Sequence, residues 1–245
     1  MGRVYINIEA LMLSSHLAMP REGHLEELIH IFAYLKKHMK SEMVFDPSIP
    51  DIDMSSFQCH DWSYSIYSSP GDTTEESFPP NMPTPKGGGF KISCSVDADN
   101  AGEFLTQISR TGFIFLLNNN SIYWHTKKLS LAKAITFESE FMVIHHATEY
   151  LRGLRYKLRM FGITIDKNVF VHGDNQSVLL NTTLLQSNLN KKSQSITFQF
   201  VCEVCAADEW RTAYINTALN VANLMMKPLS GEKVWRCMWI VLHRI

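Results

Sequence analysis

Five acidic side chains stand where chemistry could be done. Asp97 and Asp99 close the alternating run FKISCSVDAD, Asp174 closes the short apolar run NVFVHGD, and Glu138 and Glu140 open the long helical segment TFESEF. Sites in α/β sheets are built at strand ends, so acids closing two apolar strands invite a shared site. Asp97, Glu140 and Asp174 together would supply hard oxygen ligands with positions left open for phosphate oxygens, as two magnesium ions need, and that suits phosphodiester hydrolysis. Each acid also has a plainer reading. Asp174 precedes Asn-Gln-Ser-Val-Leu-Leu and reads as a helix N-cap. Asp97 and Asp99 read as polar loop residues after a strand, and Glu140 as the partner of an arginine.

The long helix tells its two glutamates apart. Phe137, Phe141, Ile144, Ala147, Leu151, Leu154, Leu158 and Phe161 step by three and four. At about 100° per residue, Glu140 falls inside that apolar stripe and Glu138 points the opposite way, toward solvent. A carboxylate on a buried stripe persists with a cation partner, a shifted pKa or a metal.

Around these acids the chain divides by texture. Residues 1–42 hold one amphipathic helix, GHLEELIHIFAYLKKHMK, with Leu25, Leu28, Phe32, Leu35 and Met39 at helical steps and lysines in the last turn, where the macrodipole favours them. Residues 43–88, rich in Pro, Ser and Gly, sustain neither helical nor strand periodicity and read as a long linker, with Trp62, Tyr64 and Tyr67 available to rest on the neighbouring domain. Residues 89–245 alternate as three strands (two joined by an Asn-rich turn), helix, strand, two helices, strand and a closing helix. That order predicts an α/β domain with a mixed sheet flanked by helices.

With 45% hydrophobic residues in 245, the chain can bury one large core. Its formal charge of -1 argues against binding nucleic acid through overall charge and leaves local clusters to do so. Such clusters exist at Lys127-Lys128, at Arg152, Arg155, Lys157 and Arg159, and at Lys191-Lys192, each of which taken singly reads as a solvated face. Five cysteines without a secretory leader point to a reducing, intracellular setting, cytoplasmic or nuclear, with no disulfide framework. No apolar run approaches the ~20 residues of a membrane span, so no membrane partner is expected.

The ordered segments SVDADNAGE, SRTGFIFLLNNNSIYW, TKK, ESEF, LRGLRYKLRMFGI, GDNQSV and LNKKSQSI resemble the ribonuclease H (RNase H) domain of copia-type retrotransposon polyproteins, over about 90–230. The stretch PREGHLEELIHIFAYLKKHMKSEMVFDPSIPDID is similar, more weakly, to the tail of the reverse transcriptase that precedes this domain. The resemblance implies an RNase H-like fold, a five-stranded mixed sheet with helices on both faces, cutting the RNA strand of RNA/DNA hybrids with Mg2+ or Mn2+. By motif match it implies Asp97, Glu140 and Asp174 as catalytic metal ligands, with Asn223 at a fourth position where the family carries an aspartate. The expected partners are an RNA/DNA hybrid, met by Lys127, Lys128, Arg110, Lys191 and Lys192, and a reverse transcriptase polypeptide.

Departures from the pattern weigh against activity. Asn223 in NVANLMMKP offers an amide oxygen without charge, Gln199 replaces a usual histidine, and Asn100 replaces an aromatic or histidine. One charge lost beside two divalent ions matters by up to several kcal/mol, at roughly 4 kcal/mol per unit pair at 4 Å and intermediate dielectric. No Tyr-X-Asp-Asp polymerase signature is present. The second expectation is therefore a catalytically impaired remnant that binds nucleic acid or a polymerase. A retroviral-type integrase shares the fold, but the helix glutamate between two strand acids fits it poorly.

Other signals read as structural. Cys202 and Cys205 have metal-ligand spacing but no second pair and are expected as core thiols. Cys59-His60 falls in the linker, His145-His146 lacks zincin spacing, and Trp235 and Trp239 look like one packing face of the last helix.

Overall fold

The structure, a computed structural model, describes residues 3–40, 42–57, 61–62, 65–67, 79–85, 88–99, 109–129, 136–182 and 192–242. Two helices, α1 (Asn7–Ser14) and α2 (Glu22–Lys37), precede a five-stranded sheet. Its strands are β1 (Phe90–Asp99), β2 (Arg110–Leu117), β3 (Asn120–Lys128), β4 (Ile165–Gly173) and β5 (Trp210–Tyr214), in the order β3-β2-β1-β4-β5. The first three strands run as an antiparallel meander, while β4 and β5 lie parallel to β1. The crossover to β4 is α3 (Thr136–Met160), and α4 (Gln176–Asn181) and α5 (Lys192–Ala206) return the chain to β5. A closing helix, α6 (Gly231–Leu242), follows a 3-10 turn at Val221–Met225. The fold is the RNase H-like mixed sheet that the sequence implies.

The hairpin turns where the sequence puts its asparagines. Asn118 adopts φ 53°, a left-handed conformation that asparagine tolerates better than most residues. The same turn receives the stretch after Met43: the Asp46 N–H donates to Asn120 Oδ1, and Asn120 Nδ2 donates to the Asp46 carbonyl, each at 2.6 Å.

Alternation along β1 divides its side chains between the two sheet faces. Ile92, Cys94, Val96 and Ala98 join Phe113, Phe115, Val169, Val171 and Trp210 in the main core, which α3 caps with Phe141, Ile144, Ala147 and Leu151 and α5 with Phe198, Val201 and Cys202. Half-buried Trp62 and Tyr67 pack against this cluster; Tyr64 lies outside the described residues. Across the sheet, Ile114 and Leu116 meet a second cluster built from Val4 and Tyr5, Val221, Leu224, Met225 and Met226, and Cys237, Met238 and Val241 of α6.

The apolar stripe of α2 stays uncovered by the described residues at Leu25, Leu28, Phe32 and Met39, because the helix reaches the second cluster only through Tyr34 and Leu35 near its end. Two packing expectations change. Phe161 is 79% exposed, since α3 ends at Met160 and the chain turns away. Trp235 and Trp239 are 48% and 62% exposed: α6 packs through Cys237, Met238 and Val241, about 130° away around the helix.

Candidate functional site

Parallel pairing of β1 with β4 brings the C-terminal ends of both strands to one edge. Asp97 lies near the end of β1, opposite Gly112 of β2, and points to the face that carries the second cluster. It is buried, and its Oδ2 has no hydrogen-bond partner. Asp174 follows Gly173, the last residue of β4, and is half-buried. Glu140 projects from the first turns of α3 and is also half-buried; the side chain of Glu138 lies outside the described residues.

Electrostatics ties the three together. Burial raises the Asp97 carboxyl to about 7, repulsion from Asp174 adds to the effect, and Lys227 opposes it. Glu140 is likewise raised to about 7, first by burial, then by Asp174 and Asp97, against a hydrogen bond from the Asn175 side chain. Asp99 is raised by burial, with Lys227 and Arg110 opposing. The Asp97, Glu140 and Asp174 oxygens do not all come within 4.8 Å of one another. Two divalent ions sharing a site stand about 3.5–4 Å apart, so their ligands span more than one ion's shell.

Asp174 is not the helix cap. Asn175 takes that place, its side-chain oxygen accepting from the Val178 N–H at 3.3 Å while the same side chain bonds Glu140. One amide therefore starts α4 and orients the helix glutamate, which leaves the aspartate beside it free of capping.

Asn223 sits buried in the turn Val221–Met225. Its Nδ2 donates to the Thr217 carbonyl at 2.7 Å and the Asn220 carbonyl at 2.9 Å, and its buried Oδ1 has no partner. The carbonyls decide which way the amide faces, because a flipped side chain would set oxygen against oxygen. Asn220 caps the turn through the Ala222 N–H and donates to the carbonyl of Val96, the residue before Asp97, at 2.9 Å. Close approach also needs Gly112: a Cβ there would lie 2.5 Å from Met226 Cε and 2.6 Å from Met225 Cβ.

Two buried oxygens without partners, Asp97 Oδ2 and Asn223 Oδ1, beside carboxyls raised by burial, fit a hard divalent cation. Sequence reasoning passed over Asn175, Asn220 and Lys227. The two asparagines carried the available signal, an Asn placed just before a short apolar turn.

The basic residues are scattered. Lys127 is exposed and Lys128 half-buried on β3, whereas Arg110 is buried at the start of β2, with its charge acting on Asp99. Lys191 and the side chain of Lys192 lie outside the described residues, as does Asn100; Gln199 is exposed on α5. Cys202 is buried and Cys205 half-buried, and burial pushes the Cys202 thiol up to about 12 and that of Cys205 higher still, as suits core thiols. No helix among the described residues is long and apolar enough to cross a membrane.

No protein-family model matches the chain. The retrovirus-related Pol polyprotein from transposon TNT 1-94 of Nicotiana tabacum is 23% identical over 145 residues, which cover 59% of this chain and 11% of that polyprotein. The chain is akin to a retrotransposon Pol polyprotein. It spans about a tenth of this Pol relative's length. Among solved structures, the RNase H1 of the halophilic archaeon Halobacterium salinarum NRC-1 aligns with TM-score 0.43 and 15% identity over 56% of this chain and 94% of that one. LC11-RNase H1 in complex with RNA/DNA hybrid aligns with TM-score 0.45 and 14% identity over the same shares. The foamy viral protease-reverse transcriptase in complex with RNA/DNA hybrid covers 86% of this chain and 26% of its own, with TM-score 0.37 and 11% identity.

Proposed function

We propose that residues 89–245 are the RNase H domain of a copia-type retrotransposon polyprotein, hydrolysing the RNA strand of RNA/DNA hybrids, and that residues 1–42 and 43–88 are a reverse transcriptase end and its linker. The observation that carries this reading is the mutual electrostatic reach of Asp97, Glu140 and Asp174 at the C-terminal ends of β1 and β4, with a buried Asp97 oxygen left without a partner. Asp97, Glu140 and Asp174 would hold divalent ions, Mg2+ or Mn2+, and Asn223 would add a neutral oxygen. Such ions supply charge at the scissile phosphate and lower the pKa of the attacking water. Asn175 orients Glu140 and Asn220 holds the Asn223 turn against β1, so the ligands are set by second partners of their own. Lys127 would meet the hybrid backbone, whose A-like shape is read through phosphates and 2'-hydroxyls more than base edges.

A second reading has its own support. The side chain of Asn223 is neutral and its Nδ2 is engaged by two carbonyls, so the position offers a cation one uncharged oxygen where a fourth acid would bring charge. On this reading the domain binds hybrid or polymerase without cutting. A labelled RNA/DNA hybrid incubated with the chain and Mg2+ or Mn2+ separates the two. Cleavage of the RNA strand that falls roughly 1000-fold in Asp97→Asn, about 4 kcal/mol, is the expected result. Absence of metal-dependent cleavage, or equal cleavage by the variant, removes the enzyme reading. Salt-sensitive hybrid binding that persists in Asp97→Asn would then support the binding module.

A further inference from the structure

On α3, one and a half turns beyond Glu140, a second group of ligand-type side chains stands apart from the carboxyls. His145, His146 and Glu149 each present one ligand atom, and the three atoms lie within 4.8 Å of one another. The spacing explains the grouping: Glu149 is four residues from His145 and three from His146, so it shares a helix face with each. His145 Nδ1 is 3.9 Å from Glu149 Oε2. Both Nδ1 atoms, of His145 and of His146, are shielded from solvent and have no hydrogen-bond partner. Buried polar atoms in folded proteins are nearly always paired, and two exceptions on adjacent residues of one ligand-type group call for a partner the chain itself does not supply.

We propose that His145, His146 and Glu149 form a binding site for a zinc-class transition-metal ion, separate from the carboxylate site at the sheet edge. The donor chemistry separates the two sites: imidazole nitrogen suits zinc, copper or nickel, whereas an all-oxygen set suits magnesium or manganese. Ligands at about 2.1 Å in tetrahedral geometry stand about 3.4 Å apart, so the group closes on an ion by side-chain rotation on a rigid helix. His145 is backed by the Phe200 ring of α5, 4.9 Å away and edge-on. Glu149 also lines a cavity of about 290 Å³ with Tyr123, Tyr150 and Lys157, so the carboxylate end of the group is reached from solvent. Lys127 and His125 lie within electrostatic reach of His146 and oppose a cation there. A three-ligand site facing that charge should bind more weakly than a closed four-ligand zinc site. The cysteines compete poorly, since burial keeps the Cys202 and Cys205 thiols protonated.

The test is calorimetric titration of the full chain with Zn2+ alone, in excess Mg2+ to occupy the carboxylates. One Zn2+ per chain is expected, bound at least tenfold more weakly by His145→Ala, His146→Ala and Glu149→Gln and equally well by Asp97→Asn. Glu149 is exposed, so Glu149→Gln decides the matter should a histidine variant fail to fold. Absence of stoichiometric binding by the unmodified chain overturns the proposal. So does unchanged affinity in Glu149→Gln, or loss of binding in Asp97→Asn. The proposal does not depend on nuclease activity, and none of these measurements reads it.

Discussion

The two faces of β1 follow different rules. Ile92, Cys94, Val96 and Ala98 enter a core closed by two long helices, while Ser93, Ser95, Asp97 and Asp99, alternating with them, face a layer assembled from short pieces. Those pieces are Val4 and Tyr5, the turn at Val221–Met225 and α6, and they come from both ends of the chain. On the first face, apolar area fixes the position of α3 and so of Glu140. On the second, individual hydrogen bonds and one glycine hold the turn that carries Asn223 against β1 and β2. The two sides of a single strand thus position the acids by different means.

The largest effect on this comparison comes from hollowing the first face. Leu151 is fully buried in α3, and Leu151→Ala should cost about 2–5 kcal/mol. Thermal unfolding followed by circular dichroism should show a fall of several degrees, at roughly 2–4 °C per kcal/mol in a chain of this size. A melting point unchanged within one degree would break the assignment.

Next is the pH dependence of the acid face in EDTA. The folded values of Asp97 and Glu140, about 7, lie above the unfolded ones, so the folded state holds more protons between about pH 4 and 7. Their burial is harmless below about pH 4, costs stability as pH rises to about 7, and costs no more above it. Asp97→Asn removes much of that cost and should stabilise the chain by on the order of 2 kcal/mol at pH 8, with little change at pH 4. Denaturant titrations at both pH values provide the check, and equal effects at the two would refute the raised carboxyl.

Gly112→Ala tests the seam between the faces. A methyl group there meets Met225 and Met226, so a loss of about 1–3 kcal/mol is expected, together with faster proteolysis within 217–227. The smallest effect is expected for Trp239→Ala, because that ring lies on the exposed side of α6; a change beyond about 0.5 kcal/mol would show that it packs after all.

This contrast also explains what was legible in the sequence. Strand alternation and the long stripe of α3 announced the strands and the crossover helix, because extended periodic burial leaves a periodic record. The second face left none. Its parts are three to twelve residues long and far apart in the chain, and the exposed tryptophans of α6 mimic a packing face that lies elsewhere on that helix. Asp174 read equally well as a cap, and only a three-dimensional arrangement could hand that task to Asn175. The burial of Arg110 was hidden for a similar reason, since an arginine at a strand start carries no mark of which way it turns.

The grip of Thr217 and Asn220 on the side chain of Asn223 makes that position asymmetric toward change. An aspartate placed there by one substitution would aim anionic oxygens at two backbone carbonyls and forfeit two donated bonds, each worth about 1 kcal/mol. Its added charge would benefit a bound cation only after the loop at 217–220 had rearranged to accept it. The amide behaves as a ratchet, simple to retain and difficult to reverse without a compensating change nearby.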